Sequence, residues 1–294
     1  MSDHLAVERK SLPINGASLT YFERTGEAVR PLVLVHATGL HARVWDAITR
    51  RVAPEFRVLA LDMRGHGRSE KTGPFNWAQF GRDVSEFCTR LELEDIVAVG
   101  HSMGGHSIVL ACLSAPSLIR SLVLIDPVIR DPSDTAEHRT AMEKWAAGDH
   151  PVARRRDQWS SPDEMFNHYR TRFPFEQWQP EVLWSYCRFG LSECEGAQLR
   201  LACPPLVEAE IYLGAGNDPD PSLLRQLRQP VTVMRATERD SNWSRFDFSK
   251  SPTWPELARQ FPNGKDVYLP GLTHFIPMER PDLVAEYINA QVDV

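Results

Sequence analysis

The stretch Ile96-Val97-Ala98-Val99-Gly100-His101-Ser102-Met103-Gly104-Gly105 decides how the rest of the chain is read. Its first four residues are apolar without polar alternation, the pattern of a strand covered on both faces. They run directly into Gly-x-Ser-x-Gly, and a small, apolar helical segment, Ser107 to Ala115, follows. A serine between strand and helix sits on a sharp, strained turn, tolerated only where neighbours such as Gly100 and Gly104 leave room. Its hydroxyl then projects beyond the carboxyl end of the strand, with the positive end of the helix beneath it. Ser102 is therefore the expected nucleophile.

Similar apolar runs flank this stretch, LVLVH at 32–36, RVLAL at 57–61 and SLVLI at 121–125. Between the second run and the Ser102 strand, Trp77, Phe80, Val84, Phe87 and Leu91 recur at helical spacing, which predicts a crossover helix in a βαβ unit. The alternation resumes with Val231 to Met234, Val267 to Leu269 and a last helix from Pro281 to Val292. Near the start, Leu5 to Leu12 and Ala17 to Arg24 flank Asn15-Gly16, a pair suited to a tight hairpin turn. The expected fold class is α/β, with a doubly wound, mostly parallel sheet. Residues 130–228 interrupt the rhythm and are rich in Arg, Glu and Trp, with Trp145, Trp159, Trp178 and Trp184 among them. They are expected to form a helical cap inserted into a core of residues 1–129 and 229–294.

Composition narrows the function. The chain has 294 residues, 42% apolar and 24% charged, which is globular and excludes disordered, collagenous and coiled-coil readings. Lys and Arg total 33 against 39 Asp and Glu, a net charge of −6 that disfavours nucleic acid and anionic membranes as partners. The first residues lack the apolar run of a signal peptide, and no later stretch is long and apolar enough to span a bilayer. Five cysteines without a C-x-x-C pair read as free, mostly buried thiols in a reducing compartment, so a cytoplasmic location is expected. Neither a catalytic metal nor a nucleotide cofactor is implied, since zinc spacings, a Walker motif and a full dinucleotide fingerprint are all missing. Arg154-Arg155-Arg156, flanked by Asp157, reads as a solvated helix face rather than an anion site.

Three further segments join the elbow: Asp62-Met63-Arg64-Gly65-His66-Gly67-Arg68-Ser69, Leu122 to Pro127 (LVLIDP), and Gly271-Leu272-Thr273-His274. Together they resemble the α/β-hydrolase superfamily, in its serine-nucleophile, esterase- and lactonase-like branch with a helical cap. The resemblance covers nearly all of the chain apart from the insertion. It implies a triad in the order serine, acid, histidine. A serine hydroxyl needs an imidazole to take its proton, and His274, in a Gly-containing loop before Phe275-Ile276-Pro277, is the best placed of the ten histidines. His36, His41, His66, His101 and His106 read as structural. Asp240 stands where the family usually carries its acid and is the preferred third member, with Glu238 in the same loop and Asp126 at the position some relatives use. The oxyanion donors implied are the backbone N–H groups of Met103 and Thr38. Here Ala37 replaces the first glycine of the usual His-Gly-x-Gly, so the shape of that loop is an open point.

The expected activity is hydrolysis of a carboxylic ester or lactone through an acyl-enzyme, on a small apolar or aromatic substrate. Amide or carbon–carbon cleavage with the same triad is an alternative, as is a low-turnover, ligand-binding receptor. A serine at the elbow argues against relatives that place aspartate there, the haloalkane dehalogenases and epoxide hydrolases. A homo-oligomer is compatible with the sequence.

Overall fold

Asn15 and Gly16 both take positive φ, 45° and 77°. That is the backbone of a primed hairpin turn, whose twist matches that of the strands it joins. It closes β1 (Val7–Ile14) onto β2 (Ala17–Arg24), paired from Ile14 with Ala17 outward to Val7 with Arg24. The computed structural model describes residues 7–24, 30–134, 147–194, 198–216, 218–240 and 247–292. Leu5, which the sequence places at the start of the hairpin, and Trp145 lie outside the described residues.

The three flanking apolar runs and the Ser102 strand become β3 (Arg30–Val35), β4 (Phe56–Leu61), β5 (Ile96–His101) and β6 (Ile119–Ile125). Connecting them are α1 (Asp46–Thr49), α2 (Trp77–Arg90) and α3 (Met103–Ser114). Their lack of polar alternation has a direct cause: both faces of the sheet are covered. In β3, Val33 and Val35 pack into the core beneath α2 and α3, while Leu32 and Leu34 pack into the opposite core. The helix after Ser102 begins at Met103, four residues earlier than its apolar composition indicates, because Gly104 and Gly105 are themselves helical.

After β6 the chain leaves the sheet. The segment before its return holds β7 (Gln158–Trp159), α4 (Pro162–Tyr169), α5 (Pro180–Phe189), β8 (Leu191–Glu193), β9 (Leu199–Leu201), α6 (Pro205–Leu213) and α7 (Pro221–Leu224). The all-helical expectation needs correction here, since β7, β9 and β8 form a small antiparallel sheet. Strands of two or three residues are too short to show a period of two in sequence. The main sheet is completed by β10 (Val231–Arg235) and β11 (Gly264–Tyr268), followed by α8 (Ile276–Glu279) and α9 (Pro281–Asn289). Its order is β1-β2-β4-β3-β5-β6-β10-β11, parallel from β4 to β11 and antiparallel at the β1–β2 hairpin edge. All five cysteines are free thiols, four of them buried. No helix among the described residues is long and apolar enough to cross a membrane.

One buried ion pair ties the hairpin to this sheet. Arg64 donates to Asp83 through Nε (2.8 Å) and Nη2 (3.0 Å), both side chains being wholly excluded from solvent. The remaining Arg64 donors reach the carbonyls of Ile14, Asn15 and Thr72, and Asp83 also accepts from Asn15 Nδ2 and Gln79 Nε2. The hairpin turn, the loop after β4 and helix α2 thus meet on one guanidinium. Removing one partner strands a buried charge, which costs far more than the intact pair contributes. Asp83→Ala is expected to lose about 3–5 kcal/mol of stability in urea unfolding. A loss under about 1 kcal/mol would show the pair to be dispensable.

Candidate active site

Ser102 follows the last residue of β5 and has φ 58° and ψ −118°, a conformation that L-residues rarely adopt. The turn is this tight because its neighbours have no side chains. A Cβ at Gly104 would lie 2.2 Å from the Val35 carbonyl oxygen, and one at Gly100 would lie 2.5 Å from the Gly104 backbone. The strain is held by backbone bonds on both sides, Ser102 N–H to the Ile125 carbonyl (3.0 Å) and His106 N–H to the Ser102 carbonyl (3.2 Å).

His274 arrives from the loop after β11. Its Nε2 lies 2.9 Å from Ser102 Oγ, and its Nδ1 donates to Asp126 Oδ2 at 2.7 Å. Asp126 stands directly after β6 with φ 43°, its N–H bonded to the Met234 carbonyl at 2.7 Å. Its other oxygen, Oδ1, accepts from Ala236 N–H (3.1 Å) and from the hydroxyls of Ser251 and Thr253. With Oδ1 so engaged, Oδ2 is left to accept from the imidazole, which fixes the tautomer that presents a bare Nε2 to the serine. Ser102, Asp126 and His274 are all buried.

Two backbone donors face no other acceptor among the described residues, Met103 N–H and Thr38 N–H. Met103 opens α3, where the first N–H groups have no intrahelical partner. Thr38 belongs to the loop after β3, and two buried imidazoles shape that loop. His36 accepts from Met63 N–H (3.0 Å) and donates to the Ala37 carbonyl (2.8 Å), while His66 accepts from Gly39 N–H (3.0 Å) and donates to the Arg64 carbonyl (3.1 Å). The departure at Ala37 is accommodated because the positive φ of this loop falls on Gly39, at 76°. A methyl group at residue 37 therefore meets no backbone penalty.

A family model described as alpha/beta hydrolase family matches residues 32–287. The chain belongs to the alpha/beta hydrolase family. Among curated proteins, this chain is similar to the pimeloyl-[acyl-carrier protein] methyl ester esterase of Photorhabdus laumondii, 40% identical over 85 residues, which is 29% of this chain and 31% of that one. The protein of the same name from Yersinia pseudotuberculosis is 34% identical over 105 residues, 36% of this chain and 39% of that one. The matched stretch thus spans between about a third and two-fifths of these relatives. Among solved structures, E-2-(acetamidomethylene)succinate hydrolase matches with TM-score 0.76 and 22% identity, covering 98% of this chain and 100% of that one. A thermophilic esterase from Thermogutta terrifontis, solved with malate bound, matches with TM-score 0.67 and 25% identity over 97% and 98% of the two chains.

Within this family member the preferred acid of the sequence reading is displaced. Asp240 is exposed, and the carboxylate on His274 Nδ1 belongs to Asp126. The cause is the path of the chain after β10. Ala236 turns its N–H toward Asp126, Thr237 binds the Leu272 carbonyl, and the loop then runs outward to Asp240. Glu238, the competing acid, is also exposed and pairs with Arg235. Asp126 was legible as the residue closing LVLIDP, but nothing local marks Ser251 and Thr253 as its donors. His101, read as structural, has a role that the sequence did not show. Its Nε2–H in fact donates to the carbonyl of His274 at 2.8 Å, so the residue before the nucleophile grips the loop that carries the imidazole. The three arginines also divide: Arg154 and Arg156 are exposed, but Arg155 is paired with buried Glu208 at 2.8 Å.

The buried imidazoles link this site to pH. Burial pushes His41 down to about 4 and His66 to about 3, and it lowers His36, His101 and His106 as well. The folded protein thus binds fewer protons than the unfolded chain between the ordinary value near 6.5 and these depressed values. Stability is fully present above about pH 6.5 and is lost as pH falls through about 4 for His41 and about 3 for His66. At pH 5 each of these two groups costs about 2 kcal/mol. Calorimetry is expected to show Tm falling by several degrees from pH 7.5 to pH 5, and an unchanged Tm would contradict the neutral, buried state of these rings.

Proposed function

We propose that this protein hydrolyses carboxylic esters through an acyl-enzyme formed on Ser102. The observation that carries the reading is the unbroken chain of hydrogen bonds Ser102 Oγ, His274 Nε2, His274 Nδ1, Asp126 Oδ2, beside two backbone N–H groups with no other acceptor. In this reading Ser102 Oγ attacks the ester carbonyl while His274 Nε2 takes its proton, and Asp126 steadies the imidazolium that forms. The carbonyl oxygen becomes an oxyanion held by Met103 and Thr38 N–H, donors that are in place before the reaction begins. His274 then returns the proton to the departing alcohol. A water deprotonated by the same imidazole releases the acid and restores Ser102. The partial matches to methyl ester esterases support ester chemistry, and a lactone is the cyclic form of the same bond.

Residues 130–228 serve in this proposal as a cap over the carboxyl ends of the strands. What supports it is contact with the loops that hold the chemistry. Gln179 binds the Met278 and Glu279 carbonyls just past His274, and the rings of Trp178 and Phe275 lie 5.2 Å apart. An aromatic series, Phe275, Trp178, Phe175, Tyr186 and Tyr169, runs from the base into the inserted segment and packs the two together in one core.

Ser102→Ala is expected to lower kcat on short-chain nitrophenyl esters by about 10⁴–10⁶ with Tm near that of the parent. A fluorophosphonate label should map to residue 102, and a variant that keeps most of its rate would remove Ser102 from the mechanism. Asp126→Asn should reduce kcat by about 10⁴ by disturbing the imidazole tautomer. Asp240→Asn should leave the rate within about twofold, and the reverse ranking of these two variants would overturn the assignment of the acid.

A further inference from the structure

Glu208, on α6, is 4% exposed, and it rests on the oxyanion loop without a part in the steps above. A Cβ placed on Gly39 would lie 2.3 Å from Glu208 Oε1, so the carboxylate covers the face of Gly39 from which a side chain would project. Oε2 accepts from Arg155 Nη1 at 2.8 Å, whereas Oε1 takes no hydrogen bond from any described residue. One residue from Gly39, Thr38 Oγ1 is buried without a partner, in a residue 8% exposed. Buried polar atoms are almost always hydrogen-bonded, so the unpartnered Thr38 hydroxyl, next in the chain to the glycine that Glu208 covers, calls for an explanation.

The electrostatics sharpen the point. A bare carboxylate beside the loop that holds the oxyanion would oppose the negative charge developing on the substrate. Arg155 cancels that charge, and it is fixed in turn by Tyr186 Oη at 2.7 Å. An apolar residue at 208 would have needed no such partner. The pair thus leaves an acceptor oxygen in place while removing its net charge.

We infer that Glu208 Oε1 and Thr38 Oγ1 form a polar subsite for a hydrogen-bond donor, a hydroxyl or an amino group, carried by the substrate next to its scissile carbonyl. An ionised carboxylate can only accept, so the ligand must donate. Gly39 follows Thr38 in the loop, so with the carbonyl oxygen on Thr38 N–H, the acceptor resting on Gly39 is taken to face the atoms next to that carbonyl. The preferred esters are therefore α- or β-substituted hydroxy or amino esters rather than plain acyl esters. This rests on the reading of Ser102 as the nucleophile.

The test compares matched esters on the full-length protein: ethyl lactate against ethyl propionate, and ethyl 3-hydroxybutyrate and 3-aminobutyrate against ethyl butyrate, followed by acid release. At least one substituted ester is expected to exceed its plain counterpart about tenfold to a hundredfold in kcat/KM, with the hydroxy and amino arms identifying the donor. In Glu208→Met the ratio should fall to about one, and Arg155→Met/Glu208→Met, which removes both charges together, supplies the same readout if the single variant is unstable. The ratio is the measurement, because a merely structural defect lowers both rates alike. Brisk turnover with ratios near one in the parent, or ratios unchanged in the variants, overturns the subsite alone. No turnover of any ester and no fluorophosphonate label on Ser102 overturns the esterase reading and the subsite with it.

Discussion

A serine forced into φ 58° is the constraint on which the rest of this molecule depends. Such a backbone is held only because every side of it is occupied. Bare glycine faces lie against the Val35 carbonyl and the start of α3, and Ser102 N–H is bonded into β6. Positions 100, 104 and 105 are accordingly closed to any larger side chain, since the atoms they would meet include backbone or the proline at 127. Around that point β3, β5 and β6 bring the Thr38 loop, Ser102 and Asp126 together from adjacent strand ends. Parallel order is what brings three carboxyl ends to one edge of the sheet.

The loops that complete the site are fixed by polar groups buried in the protein rather than by regular secondary structure. His36 and His66 each present one acceptor and one donor to backbone groups on either side of the oxyanion loop. Neutral imidazole suits this task because it supplies both functions on one rigid ring. Asp62, also buried, accepts from Ala42 and Arg68 N–H and so holds the same two loops from the other side. A site framed in this way is preorganised, and its orientation depends on every member keeping its protonation state.

Much of this was legible from residue order. The strands were visible because each is apolar on both faces, the hairpin because only a residue tolerant of positive φ fits its turn, and the elbow because its glycines mark places where backbones touch. His274 was found from its place after β11. The acid was named only as the alternative, because Asp126 and Asp240 follow two neighbouring strands, β6 and β10, and only the three-dimensional path of residues 236–240 shows which carboxylate faces the imidazole. Arg155 was misread for a related reason: its partner Glu208 is remote in sequence, and a run of three arginines carries no sign that the middle one turns inward. The strands β7, β8 and β9 were too brief to leave a periodic trace.

The hydrogen bond from His101 to the carbonyl of His274 has a consequence for how this family member can diverge. Ser102 and His274 are separated by more than half of the polypeptide, yet the peptide unit of one is clasped by the neighbour of the other. The spacing between them is set at the clasp and not by the length of chain leading up to it. The approach segment reaches that clasp through Gly271, whose φ of 91° strains any side chain even though the space around it is open, so the bend itself is reserved for glycine.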